Sequence, residues 1–256
     1  MTDQPAGPAK PEPSPRPRWC GGQRRIGLTG GIASGKSTVG RLLADRHGLP
    51  VLDADLYARE ALAPGSAASR AVLERYGPRV RAGGAPEAVL DRAALGRIVF
   101  ADAAERRWLE ELVHPLVRQR FGAELEQLAA APVVVLMVPL LFEAGLESLC
   151  SEVWLVDCEP PQQLQRLLGR DQLSEAEATA RIAAQWPLVH KRSLADVLID
   201  NRGDGSRLAG AVAAALAQAW SPTMHPDSPG GRGRGLTPAK REPDGWGARP
   251  SSHPRS

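Results

Sequence analysis

The spacing of apolar and polar positions changes several times along the chain, and each change marks an element. Ile26-Gly-Leu-Thr is a short apolar stretch that leads into a glycine-rich turn. From Lys36 to His47 the period becomes helical, with Val39, Leu42 and Leu43 on one face and Gly48 as the stop. Pro50-Val-Leu-Asp53 reads as a second short strand. The apolar runs at 132–138 and 152–157 have the length and continuity of strands covered by helices on both sides. A last strand is expected at 196–200, turning at Asn201-Arg-Gly203, followed by an alanine-rich helix over 206–220.

Between these lie helical stretches. Residues 64–131 are mostly helical in pattern, broken at Gly77-Pro78 and at Ala82-Gly-Gly-Ala-Pro86. Asp91 begins one helix, and 103–128 continue the periodicity around His114-Pro115, where the proline should kink or end the helix. Residues 164–170 form a helix with Arg166 and Arg170 on one face, and 174–184 form another, in which Ser174 and Glu177 make a capping-box pattern. Strands alternating with helices predict a parallel α/β sheet.

Composition sets the limits of that fold. Residues 1–25 carry six prolines and residues 221–256 carry seven, with little aliphatic content, so 1–24 and 221–256 are expected to be disordered tails around a domain at 25–220. The sequence pI is near 9.0. Residues 1–25 and 221–256 are nevertheless +3 each, which leaves 26–220 at −3. The basic balance therefore belongs to the tails and gives no support for specific nucleic-acid binding. The three cysteines lack zinc spacing and fit a reduced, cytoplasmic setting. The apolar run at 133–142 is too short to span a bilayer, so no membrane association is expected. Nothing in the pattern fixes an oligomeric state.

The turn after the first strand carries the strongest chemical signal. Gly30 to Gly35, Lys36 and Ser37 fit GxxxxGK[ST], the loop in which backbone N–H groups face nucleotide phosphates, the lysine reaches them and the hydroxyl meets magnesium. Glycine permits close backbone approach, and the amino end of the helix adds partial positive charge. The sheet is thus of the P-loop NTPase type. Asp53 and Asp55 stand at the carboxyl end of the second strand, the edge where ligands of open α/β sheets bind. Two readings stay open there: a cap on a helix over 56–62, or a carboxylate for phosphoryl transfer. For His114 a packed structural role competes with a functional one. Glu143 faces either an acceptor pocket or a surface turn, and Arg166 and Arg170 are either a lid over triphosphate or exposed arginines.

Several of these pieces occur together in one family. Gly27-Leu-Thr-Gly-Gly-Ile-Ala-Ser-Gly-Lys-Ser-Thr38, Asp53-Ala-Asp55 with Ala58-Arg59, His114-Pro115, Pro139-Leu-Leu-Phe-Glu143, Arg166 with Arg170-Asp171, Arg181 with Gln185, and Ala195-Asp-Val-Leu-Ile-Asp-Asn201 with Gly203 run in the order of dephospho-coenzyme A kinases. The chain resembles that family over residues 25–203. The resemblance implies a nucleotide-binding core, a helical acceptor subdomain at about 64–131 and a helical lid at about 164–192. It implies transfer of the ATP γ-phosphoryl group to the ribose 3′-hydroxyl of dephospho-coenzyme A, with Mg2+.

By the same resemblance Gly31, Ile32, Ala33, Ser34, Gly35, Lys36, Ser37, Thr38 and Asn201 belong to ATP, with Ser34 to Thr38 on the phosphates and Ser37 on the metal. Asp55 orients or deprotonates the attacking hydroxyl, and Lys36, Arg166 and Arg170 serve the transferred group. Asp53, Arg59, His114, Leu140 and Glu143 lie toward the acceptor. Ala33 replaces a glycine common in relatives, a change that the loop is expected to tolerate. Met137 and Val138 offer no acid at the end of the third strand, so a magnesium-side carboxylate falls to Asp53 or Asp55 through water. The competing readings are a P-loop kinase for another small metabolite, or a nucleic-acid-associated ATPase or switch. The second lacks a guanine-reading NKxD sequence.

Overall fold

The computed structural model describes residues 17–82, 89–218 and 220. All of these fall in the first of two units, Met1–Thr223; the second, Met224–Ser256, lies wholly outside them, as do most of the expected tails and most of the turn expected at 82–86. Five parallel strands form the sheet among the described residues: β1 (Arg24–Gly30), β2 (Val51–Asp53), β3 (Val133–Met137), β4 (Glu152–Asp157) and β5 (Val197–Asp200). Their order is β2-β3-β1-β4-β5, which puts the strand before the glycine-rich turn at the centre.

Alternate residues of the apolar runs feed two different cores. Ile26, Leu28, Val135, Met137, Trp154 and Val156 join Val39 and Leu43 of α1 (Lys36–His47) and Val212 of α9 (Leu208–Ala217) on one face. Val134, Leu136 and Val153 point to the other face. There they meet Tyr57 of α2 (Ala54–Ala61) and Val113, Val117, Phe121 and Leu125 of α5 (Ala103–Gln127). This two-sided burial explains why the strands read as continuous rather than alternating apolar runs.

Of the two outcomes expected at Pro115, a kink or an end, the end is excluded, because α5 continues through it. An interior proline costs about 3 kcal/mol. Burial of the aligned Val113, Val117, Phe121 and Leu125 contributes about 1.5–3 kcal/mol each, enough to keep the helix in one piece. The first half of α5 serves a smaller core. With α3 (Ala67–Tyr76), a 3₁₀ turn at Gly77–Val80 and α4 (Arg92–Ala101), it encloses Val72, Tyr76, Val80, Leu90, Leu95 and Val99. Asp91 caps α4, as expected, through its Oδ1 and the N–H of Ala94.

The region expected to form a lid contains α6 (Pro160–Asp171), α7 (Glu175–Ala183) and α8 (Leu188–Leu194). Helix α6 starts four residues before the expected 164, because Glu159 and Gln162 make a capping box there. The expected Ser174–Glu177 box is present at the start of α7. Helix α8 is anchored to the sheet side by Lys191. Its fully buried ammonium lies 2.8 Å from Glu143 and donates to the carbonyl of Pro139.

The amino-terminal boundary moves. Residues 17–24, expected within a disordered tail, are attached to the domain: Trp19 N–H donates to the carbonyl of Cys150, Arg18 pairs with Asp196, and the Gln23 amide donates to the carbonyls of Leu128 and Ala131. Trp19 also stacks under the guanidinium of Arg25 at 3.5 Å.

The small helical core is pinned by one acid. Glu105 accepts two hydrogen bonds from Arg75 and one from the Tyr76 hydroxyl, while Arg75 covers the ring of Trp108. These bonds, chiefly those from Arg75, pull the Glu105 carboxyl down to about 2 from 4.5. Because folding lowers this acid, its contribution is full above the unfolded value and fades as pH falls toward about 2. Urea unfolding followed by circular dichroism across pH 2–7 should therefore show less acid sensitivity in Glu105→Gln than in the parent chain, together with lower stability at pH 7.

Candidate active site

At the carboxyl edge of the sheet, β1 ends at Gly30, and residues 31–35 turn back over that edge into α1. The turn is closed by the N–H of Ser34 on the carbonyl of Gly31 and the N–H of Thr38 on that of Gly35. Gly35 is the N-cap, with φ 98, and no side chain caps α1 and no acid stands in its first turn. The first amides of α1 are thus left for an anion.

Close packing behind the loop explains its glycines as much as access from the front. A Cβ on Gly31 would strike the Gln163 amide, one on Gly35 would strike the Asn201 amide, and one on Gly30 would strike the Ser34 hydroxyl. Ala33 takes left-handed backbone, φ 59. The loop keeps its shape there at about 1–2 kcal/mol, the cost of a Cβ in that conformation.

Two cavities meet at this edge. The more polar one, about 460 Å³, is lined by residues 31–38, Arg41, Asp55, Pro139, Arg166, Arg170 and Gln185. The more apolar one, about 330 Å³, lies between α2, α4, α5 and α7 and includes Ala58, Phe100, Leu109, Val113, His114, Leu140 and Arg181. Ile32, Asp55, Pro139 and Gln185 line both. An acid at the shared wall can touch groups delivered from either side.

Cations dominate the polar cavity. Lys36 is buried, and its ammonium is pushed below the usual lysine range by burial, against the pull of Asp55 and Asp53. Arg166 donates through Nη2 to the carbonyls of Asn201 and Gly203, while its Nη1 is buried with no partner among the described residues. A phosphate oxygen would satisfy that nitrogen. Arg170 is held bidentately by Asp171, which also accepts from Arg181, and Arg181 in turn lies over the ring of Phe100 at 4.9 Å. In the apolar cavity, burial lowers the His114 imidazole below its ordinary value against the pull of Glu110.

The two members of the aspartate pair are placed differently. Asp53 is the N-cap of α2: its Oδ1 accepts from the Asp55 N–H at 2.9 Å and its side chain lines neither cavity. Helix α2 accordingly starts at Ala54 rather than 56. Asp55 is exposed in the first turn and faces both cavities.

Three further residues expected at the site line neither cavity. Arg59 is exposed on α2 outside both cavities, with its carbonyl accepting from Arg92. Glu143 is occupied in binding Lys191 and the N–H of Trp186. Asn201 lies beneath the loop, donating to the carbonyl of Ser34 at 2.8 Å, and so supports the cradle without lining it. Ile32 stays at the site, but its N–H is taken by Gln185 and its carbonyl by Gln163. His114, Leu140, Lys36, Arg166, Arg170 and the rest of residues 31–38 line the cavities.

Sequence reasoning gave Gln163, Lys191, Arg41 and Arg106 no role at the site. The pairing of Arg181 with Gln185 was a signal for the latter, without its contact. No local pattern marks Gln163, whose partner is 131 residues away.

A metal would have Ser37 and Asp55 within the polar cavity as donors, with Asp53 two residues before Asp55 as the N-cap of α2. Among the described residues no group of three or more His, Cys, Asp or Glu could hold an ion by itself. This donor set fits a cation brought in with a polyphosphate, whose oxygens complete its shell.

The dephospho-CoA kinase family model matches residues 24–206. A dephospho-CoA kinase from Synechococcus sp. (strain CC9605) is 68% identical over 181 residues, 71% of this chain and 86% of the relative. One from Prochlorococcus marinus (strain MIT 9313) is 60% identical over 190 residues, 74% of this chain and 93% of the relative. Among solved structures, a Thermus thermophilus protein aligns with a TM-score of 0.63 at 39% identity, over 78% of this chain and 99% of its own. A dephospho-CoA kinase from Campylobacter jejuni, 24% identical, shares the fold with a TM-score of 0.53 over 75% and 94% of the two chains. With the loop, the paired cavities and these relatives in place, the chain belongs to the dephospho-CoA kinase family.

Proposed function

We propose that this protein transfers the γ-phosphoryl group of ATP to the ribose 3′-hydroxyl of dephospho-CoA, giving coenzyme A and ADP, the last step of coenzyme A synthesis. The observation that carries the reading is Asp55 in the wall common to the two cavities. The polar cavity takes the triphosphate and the apolar one takes the acceptor. The free amides of α1 and Lys36 hold the phosphates, and Arg166 and Arg170 balance charge on the equatorial oxygens. Asp55 aligns the acceptor hydroxyl and receives its proton as the new O–P bond forms and the bond to the β-phosphate oxygen breaks. Leu140 and His114 fix the acceptor. When bound, Mg2+ would be held by Ser37 and Asp55 and would neutralise phosphate charge.

Family relatives at 60–68% identity support the acceptor assignment. Among the described residues no helix is long and apolar enough to cross a membrane, and Cys150 and Cys158 are buried thiols, which is consistent with the proposed cytoplasmic site of action.

With purified full-length protein, ATP and magnesium, dephospho-CoA should be phosphorylated in preference to nucleosides and nucleoside monophosphates. Preference for a nucleoside monophosphate would reject the reading, and acceptor-independent hydrolysis stimulated by RNA or DNA would replace it with an ATPase. In the same assay Asp55→Asn should lower kcat about 10²–10⁴-fold with little change in the KM for ATP. Lys36→Ala should lower kcat about 10²–10³-fold. Full activity in either variant would remove that residue from its role.

A further inference from the structure

Helix α5 presents Arg106, Leu109, Glu110, Val113, His114 and Val117 to the apolar cavity, a spacing that keeps them on one helical face. Most of this stripe is explained by packing or by the acceptor. Arg106 is not. Its side chain is half-buried, yet its guanidinium has no hydrogen bond, ion pair or ring contact among the described residues. Glu110 stands one turn away, at the spacing that commonly pairs, and lines the same cavity without forming a salt bridge to it. The neighbouring arginine behaves differently, since Arg181 is bound to Asp171 and stacked on Phe100.

The Arg106 side chain is partly buried along an apolar wall, and no carboxylate among the described residues pairs with its charge. Such a group is completed by an anion that arrives with the ligand. The triphosphate is excluded as that anion by position: Arg106 does not line the polar cavity, where Lys36, Arg166 and Arg170 already supply positive charge. The anion must belong to whatever fills the apolar cavity. Resting on the function proposed above, we infer that Arg106 is a specificity-determining residue that binds the diphosphate bridge of the acceptor. The planar fork of arginine suits two phosphate oxygens at once, and the contact selects acceptors bearing a 5′-diphosphate over bare nucleosides.

The test uses the full chain with Arg106→Gln and Arg106→Lys, varying ATP and dephospho-CoA separately at two salt concentrations. For Arg106→Gln the KM for dephospho-CoA should rise about ten- to hundredfold, the worth of a charged hydrogen-bonded contact, with kcat and the KM for ATP within about twofold. Arg106→Lys, which keeps stem and charge, should fall between parent and Gln variant, and it carries the test should the Gln variant fail to fold. Added salt should raise the KM for dephospho-CoA more in the parent than in Arg106→Gln. An unchanged KM for dephospho-CoA in both variants overturns the inference, and so does a parallel rise in both KM values. Failure of the functional reading looks different, because the parent chain itself would then not phosphorylate dephospho-CoA.

Discussion

A short run of main-chain amides has to stay bare on the side that meets an anion while being fully packed on the other, and much of the molecule is arranged to satisfy both conditions. The central place of β1 brings the loop to the middle of the sheet edge, with β3 and β4 on either side. From behind, Asn201 reaches up from the end of β5 to hold the Ser34 carbonyl, and Gln163 and Gln185 hold both polar groups of the Ile32 peptide. These contacts come from elements far apart in sequence, so the loop is shaped by the whole α/β layer and not by its own residues alone. Preorganised amides of this kind give up no reorganisation energy when charge moves during transfer.

The charge arrangement follows from the same layout. Burial costs Lys36 part of its affinity for the proton, and the carboxylates of Asp55 and Asp53 oppose that cost. A chain of contacts from Phe100 through Arg181 and Asp171 to Arg170 runs from the apolar cavity to the polar one. The side chains that border the apolar cavity are therefore in physical contact with those that border the polar one, apart from the aspartate that both cavities share.

Much of this was readable from the residues. The strands were legible because burial on two sides leaves uninterrupted apolar runs, and α1 was legible because its first residue follows a glycine of the loop and Gly48 closes it. The loop's chemistry was legible because backbone recognition of phosphate requires small residues at fixed spacing. What failed were roles that depend on direction. Asp53 and Asp55 are the same residue type two positions apart, and only the helix start decides which one caps and which one lines the cavities. Glu143 and Asn201 sit at strand ends where ligands bind, but each is claimed by a partner that local pattern cannot show: Lys191 for one, the Ser34 carbonyl for the other. Pro115 leaves a kink or an end open until the apolar positions packed around it are counted.

The pair of buried Lys191 and partly buried Glu143 restricts how this chain can diverge. Exchange of Glu143 alone strands the buried ammonium, at about 3–5 kcal/mol, whereas joint replacement by well-packed apolar side chains is often nearly neutral. Viable change at this contact is therefore concerted. A homologue carrying an uncharged residue at one of these positions should carry a compensating one at the other, so the two columns of a future alignment should vary together.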